Sequence, residues 1–214
     1  IDGKLDEEFW QNITPAANFY MIEPVNGRIE RASQKTEVKF AYDDNAIYIG
    51  AILYDKNAGY DDPNMVGIMQ EIGKRDQENT ISDVFGIYLN PFNDGINEFS
   101  FAVTASGVQV DKRIILTTNG YFEDKDWNAV WESAVFIMKD GWYVEMKIPY
   151  SAIRFPDKKI QEWGINIERQ IRRFREKYSW NLIDITKKHI GNQAGILKGI
   201  ENINPPIRLS LTPY

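Results

Sequence analysis

The sequence predicts an all-β chain: a jelly-roll-like antiparallel β-sandwich with one or two short helices and long loops. Two observations carry the prediction. Segments of roughly five to ten residues alternate apolar and polar side chains, as strands with one buried face do. Clusters of Asp, Asn, Gly and Pro separate them, and helical spacing of apolar residues is almost absent.

In chain order, LDEEFWQN (5–12) predicts about two helical turns, with acidic residues near the N-terminal end of the dipole. TEVKFAY (36–42) puts Val38, Phe40 and Tyr42 on one face, and Asp43-Asp44-Asn45 turns the chain into AIYIGAILY (46–54). DVFGIYL (83–89) and NEFSFAVT (97–104) form a second pair, continued by GVQVDKR (107–113). ESAVFIMKDGWYVEMKIP (132–149) reads as a hairpin with a type I′ turn at Asp140-Gly141. YSAI (150–153) adds a single turn, and EWGINIERQIRR (162–173), YSWNLI (178–183), GILKGIENI (195–203) and IRLSLT (207–212) complete the strands. Two long connections remain, 55–82 and 114–130; loops of that length in compact domains tend to be functional or mobile.

Composition bounds the function. A hydrophobic fraction of 43% supplies a core, so one domain over 1–214 is expected. The net charge of −6 argues against nucleic acid, because phosphate binding runs on an excess of Lys and Arg. Without cysteine there is no disulfide, thiolate metal site or cysteine nucleophile. His189 is the single histidine, which leaves no multi-histidine metal site. No P-loop, GxGxxG or EF-hand spacing occurs. Acidic residues are too many to single out a glycosidase pair, so no enzyme is expected. No cofactor is certain; oxygen ligands at the turns (Asp43, Asp55, Asp61, Asp62) are compatible with a structural Ca2+.

The strand period also sorts the faces. Phe85, Ile87 and Leu89, then Phe99, Phe101 and Val103, then Trp163, Ile165 and Ile167, point to the core. The opposite faces carry Gly86 and Tyr88; Ser100, Ala102 and Thr104; Gly164, Asn166 and Glu168. Small and polar residues recurring on three strands predict a shallow trough, either a ligand surface or a solvated sheet face. The candidate ligand-binding residues are Gly86, Glu98, Ala102, Asn166 and Glu168, with Arg75, Asp76, Trp127 and Arg169 near the rim. Arg forks bind carboxylates bidentately, so internal ion pairs are the other reading of the Arg/Asp/Glu cluster. In DKDWNAVWES (124–133), Trp131 reads as a packed strand residue and Trp127 as a loop residue open to a ligand.

IDGKLDEEFW, TEVKFAYDDNAIYIGA, SDVFGIYLNPF, DGWYVEMKIPYSAIRF and WGINIERQIRR resemble, in that order, the family 9 carbohydrate-binding modules. KRDQEN, FAVTASGVQVD, DWNAVWESA and RLSLTPY resemble the N-terminal modules of outer-membrane β-barrel proteins of Gram-negative bacteria. The resemblance implies a β-sandwich, a periplasmic or outer-membrane location, and a C-terminal membrane barrel of the same chain as partner. The family's acidic, arginine and glutamine sugar contacts fall at Gly86, Ala102 and Glu168, and its two clamp tryptophans fall near Thr80 and Lys188. The expected function is non-catalytic glycan binding on one sheet face. The alternative is an interaction or gating module that docks on its own barrel or on a secretion partner.

Overall fold

A computed structural model describes residues 1–56, 67–118, 120–187 and 193–206. The strands are β1 (Tyr20–Glu23), β2 (Thr36–Tyr42), β3 (Ala46–Tyr54), β4 (Val84–Asn90), β5 (Asn97–Thr104) and β6 (Gln109–Thr117). They continue with β7 (Gly120–Asp124), β8 (Glu132–Met138), β9 (Gly141–Pro149), β10 (Ile160–Ile171), β11 (Glu176–Ser179) and β12 (Gly195–Glu201). One α-helical turn, α1 (Glu8–Gln11), and three 3-10 turns complete the described elements.

The expected β-sandwich is the fold. A four-stranded antiparallel sheet runs β2-β3-β9-β8. An eight-stranded sheet runs β1-β11-β10-β4-β5-β6-β7, with β12 also on β10. Strand β10 is twelve residues long, so one edge has room for β12 on its first half and β11 on its second. Val38, Ile47, Ile49, Leu53, Trp142, Val144 and Met146 from the small sheet meet Phe85, Ile87, Phe101, Val103, Trp163 and Ile167 from the large one, all buried. The outer face of the small sheet is capped by the chain start, where Leu5 and the buried Trp10 sit over Gly50.

Five local readings change, and the helix expected over 5–12 is the single turn Glu8–Gln11. The connection read over 114–130 is largely the β6–β7 hairpin, leaving a short loop before β8. Strand β1 was not read from the sequence, and the strand read over 178–183 ends at Ser179. The β8–β9 hairpin pairs Met138 with Gly141, so its loop is Lys139-Asp140 and Gly141 begins the strand. Asp140 is not among the positive-φ residues, as a type I′ turn centred on Asp140-Gly141 would require. Gly141 has φ +148, and a Cβ there would lie 2.2 Å from the Leu53 carbonyl oxygen. The Gly141→Ala variant is therefore expected to lose about 2–3 kcal/mol in a denaturant titration.

Candidate functional site

Register across the large sheet builds the site. Ser179, Glu168, Gly86, Ala102 and Val110 lie side by side on β11, β10, β4, β5 and β6. The next row is Asn166, Tyr88, Ser100 and Lys112. Residues directly opposite in antiparallel strands share a face, so both rows lie on the side away from the core. Gly86 and Ala102 make the floor low; a Cβ on Gly86 would come within 3.1 Å of the Ala102 Cβ.

The result is a trough of two adjoining lobes that share Tyr88, Glu123, Glu168 and Lys177. The first, about 320 Å³, is lined by Gln77, Glu78, Gly86, Ala102, Lys112 and Gln170 among others. The second, about 400 Å³, is lined by Ile22, Glu98, Ile114, Asn166, Ile183 and Ile185 among others. Charges hold the walls. Glu168 accepts from Lys177 Nζ (2.8 Å), Gln170 Nε2 (2.8 Å) and Tyr88 Oη (3.3 Å). Lys112 Nζ bridges Glu78 (2.9 Å) and Glu123 (3.0 Å). Burial works against its charge, but the hydrogen bonds to both carboxylates outweigh burial and raise its pKa. Burial, then the neighbouring Glu168 charge, pushes the Tyr88 phenol well up, so it is a neutral donor. These side chains pair with one another around the concave surface.

Five of the nine candidate residues line the trough: Gly86, Glu98, Ala102, Asn166 and Glu168. The other four do not line either lobe. Arg169 does not stand at the rim; it is 1% exposed and points into the sandwich. Its Nη1 donates to the carbonyls of Gln34 (2.7 Å) and Lys35 (3.2 Å) and to Thr36 Oγ1 (3.1 Å), and its Nη2 donates to the Tyr54 carbonyl (2.7 Å). Trp127 packs on Phe99 and Phe101, with ring centroids 5.3 and 5.9 Å away, on the face opposite the trough. Arg75 pairs with the buried Asp111, and Asp76 accepts from the Asp111 amide (3.1 Å) at the edge of β6. They tie the 74–78 segment to β6, which brings Gln77 and Glu78 to the first lobe. Internal ion pairs, including Arg173–Asp55 and Arg31–Glu176, thus account for much of the charge cluster.

Sequence reasoning missed Lys112, Glu123, Lys177 and the isoleucines of the second lobe. The Asn119-Gly120 pair in the sequence was the signal for the β6–β7 hairpin that carries Glu123. Thr80 is buried and does not line either lobe, while Lys188, His189, Asp61, Asp62 and the segment 207–214 lie outside the described residues.

Of the turn aspartates, Asp43 and Asp55 are described, and both are held by partners within the chain. Asp43 accepts from the Asn45 and Ala46 amides (2.8 and 2.9 Å), and Asp55 is held by Arg173. Elsewhere, Asp2, Glu7 and Glu145 each bring a carboxylate oxygen within 4.8 Å of the others. Glu145 is 1% exposed and accepts from the Asp2 amide (2.9 Å), and one Glu7 oxygen is buried without a partner.

Comparison with known proteins agrees with this architecture. A family 9 module from Caldicellulosiruptor kristjanssonii in complex with cellotriose superposes with a TM-score of 0.60 at 16% identity, covering 100% of this chain and 94% of that one. A family 9 module from the same organism in complex with glucose gives 0.61 at 16% identity, covering 96% and 94%. At such identities the likeness establishes the fold alone. Among curated protein sequences none matches the chain significantly. Residues 1–172 match the family described as carbohydrate family 9 binding domain-like, and the chain belongs to that family.

Proposed function

We propose that the chain is a non-catalytic module that binds a saccharide in the trough of the large sheet. One observation carries the proposal: Gly86 and Ala102 on adjacent strands lower the floor, and prepaired carboxylates, ammoniums and a phenol stand around it. Tyr88 and the isoleucines of the second lobe supply surface for sugar C–H groups, while the polar wall takes the hydroxyls. The similar folds in complex with cellotriose and glucose support neutral glucans as first probes.

Calorimetry with cellotriose and a panel of neutral and acidic oligosaccharides should give binding that Ala102→Trp, which fills the trough, weakens by more than about tenfold. No binding by folded protein, or an Ala102→Trp variant that binds like the parent, would overturn the proposal.

On this reading the module works in the Gram-negative envelope beside a C-terminal β-barrel, a setting supported by the similarity of KRDQEN, FAVTASGVQVD and DWNAVWESA to such modules. The full coding sequence tests it: strands of about ten alternating residues should follow position 214. A different downstream domain would remove that setting.

The Asp2, Glu7 and Glu145 oxygens suit a hard cation, and a Ca2+ held there would clamp the chain start to β9. At a free ion concentration about 100-fold above its Kd, Ca2+ would add roughly 2.7 kcal/mol. Chelation should then lower Tm by about 5–10 °C. Identical melts in EGTA and Ca2+ would exclude it.

A further inference from the structure

The charges along the trough are almost all matched. Glu78, Glu123 and Glu168 each have a lysine, and Lys112 and Lys177 each have a carboxylate. Glu23, at the edge of the second lobe, is exposed and solvated. Glu98 is different. It is 8% exposed, lines the second lobe, and has no hydrogen bond or ion pair among the described residues. A carboxylate left in such a place is costly unless something pairs with it. Burial, reinforced by the nearby Asp94 charge, pushes its pKa up to about 7.

The surroundings specify what would pair with it. Glu98 lies beside Ile114 on β6, and Ile114 lies beside Glu123 on β7. Tyr88 and Asn166 line the same lobe from β4 and β10, Tyr121 from β7, Lys177 and Ser179 from β11, Glu23 from β1, and Ile183 and Ile185 from the segment after β11. Among the described residues its charged lining is four carboxyl groups, Glu23, Glu98, Glu123 and Glu168, against one ammonium, Lys177, which Glu168 already holds. Lys112 lines the adjoining lobe and is shared between Glu78 and Glu123. A neutral hydroxyl would leave this excess negative charge in place, and an acidic sugar would add to it. A cation meets it directly, in a partly apolar setting where an ion pair is worth more than in water.

Resting on the saccharide reading above, we propose that the second lobe selects a sugar carrying a primary ammonium substituent, which pairs with the Glu98 carboxylate while Ile114 and Ile183 cover adjoining C–H surface.

Calorimetry on the full 214-residue chain tests this with glucose, 6-amino-6-deoxyglucose, glucosamine and glucuronate at pH 7.5. At least one amino sugar should bind about tenfold or more tighter than glucose, and glucuronate more weakly than glucose. 6-Amino-6-deoxyglucose should bind about tenfold more weakly at pH 6 than at pH 8, because Glu98 must lose its proton to form the pair while the alkyl ammonium stays charged. Titrations near pH 7 in buffers of different ionisation enthalpy should show proton release on amine binding, a readout on the unmutated protein. Glu98→Gln should erase the amine preference, bringing the amino sugars to within about twofold of glucose in that same variant. Glucose binding without amine preference overturns this inference and leaves the saccharide reading standing. A preference that survives in Glu98→Gln also overturns it, and no binding of any sugar by folded protein removes both.

Discussion

Replacing Arg169 by methionine is expected to lower folding stability by about 3–5 kcal/mol. The guanidinium is buried among groups from the other sheet: it donates to the carbonyls of Gln34, Lys35 and Tyr54 and to the Thr36 hydroxyl. Methionine fills much of the same volume and donates nothing, so three carbonyls and a hydroxyl would lose a buried donor. It would also remove the positive charge that Asp55, Asp83 and Glu30 feel through the interior. Asp83 already sits with its pKa pushed up to about 6, chiefly by burial, and Arg169 is one of the groups that pull it back down. Without the arginine, Asp83 should hold its proton to higher pH. A urea titration of Arg169→Met beside the parent checks the loss, and a change below about 1 kcal/mol would reject the structural role. Saccharide affinity of the folded fraction should be unchanged, because the side chain lies across the sheet from the trough.

Asp111→Ala should be nearly as damaging, at about 3–4 kcal/mol. Asp111 is 1% exposed and gathers three donors: the Trp131 indole N–H (3.0 Å), the Ala129 amide (2.7 Å) and Arg75. Alanine leaves the indole and the amide buried without an acceptor. It also releases the segment that holds Trp127 against Phe99 and Phe101. Thermal melts should show the loss, and tryptophan emission should shift to the red as Trp127 and Trp131 loosen. Unchanged emission in a destabilised variant would show that the loop is held by something else. Because Arg75 and the 74–78 segment lie next to Glu78, saccharide binding should weaken as well, by a few fold.

Both residues show how far periodicity reads. Arg169 follows Glu168 directly, so the alternation that puts Glu168 in the trough puts Arg169 in the core. Its charge suggested a rim position instead, because the sequence does not show that carbonyls 115 to 135 positions away will surround it. Trp127 was ambiguous for a related reason. No periodicity governs a loop residue, and the face it covers is set by Asp111, whose hydrogen bonds anchor Ala129 and Trp131 close by in the chain.

Strands β2, β3 and β5 were legible to the residue, and so was the face that β5 buries through Phe99, Phe101 and Val103. So were the trough floor at Gly86 and Ala102 and the candidates Glu98, Asn166 and Glu168. These follow from the two-residue repeat, a property of each strand's own backbone. The walls were not legible. Lys177 meets Glu168 across the β10–β11 pair, and Lys112 meets Glu78 and Glu123 from a loop and from β7. The carboxylates of Asp2, Glu7 and Glu145 were not legible as a group either, because they meet only when the chain start crosses β9. By itself the sequence determined which residues share a face; tertiary structure decided which charges find partners and which, like Glu98, find none among the described residues. The first depends on neighbours along the chain, while the second depends on distances of a few ångströms between residues that only the completed sandwich brings together.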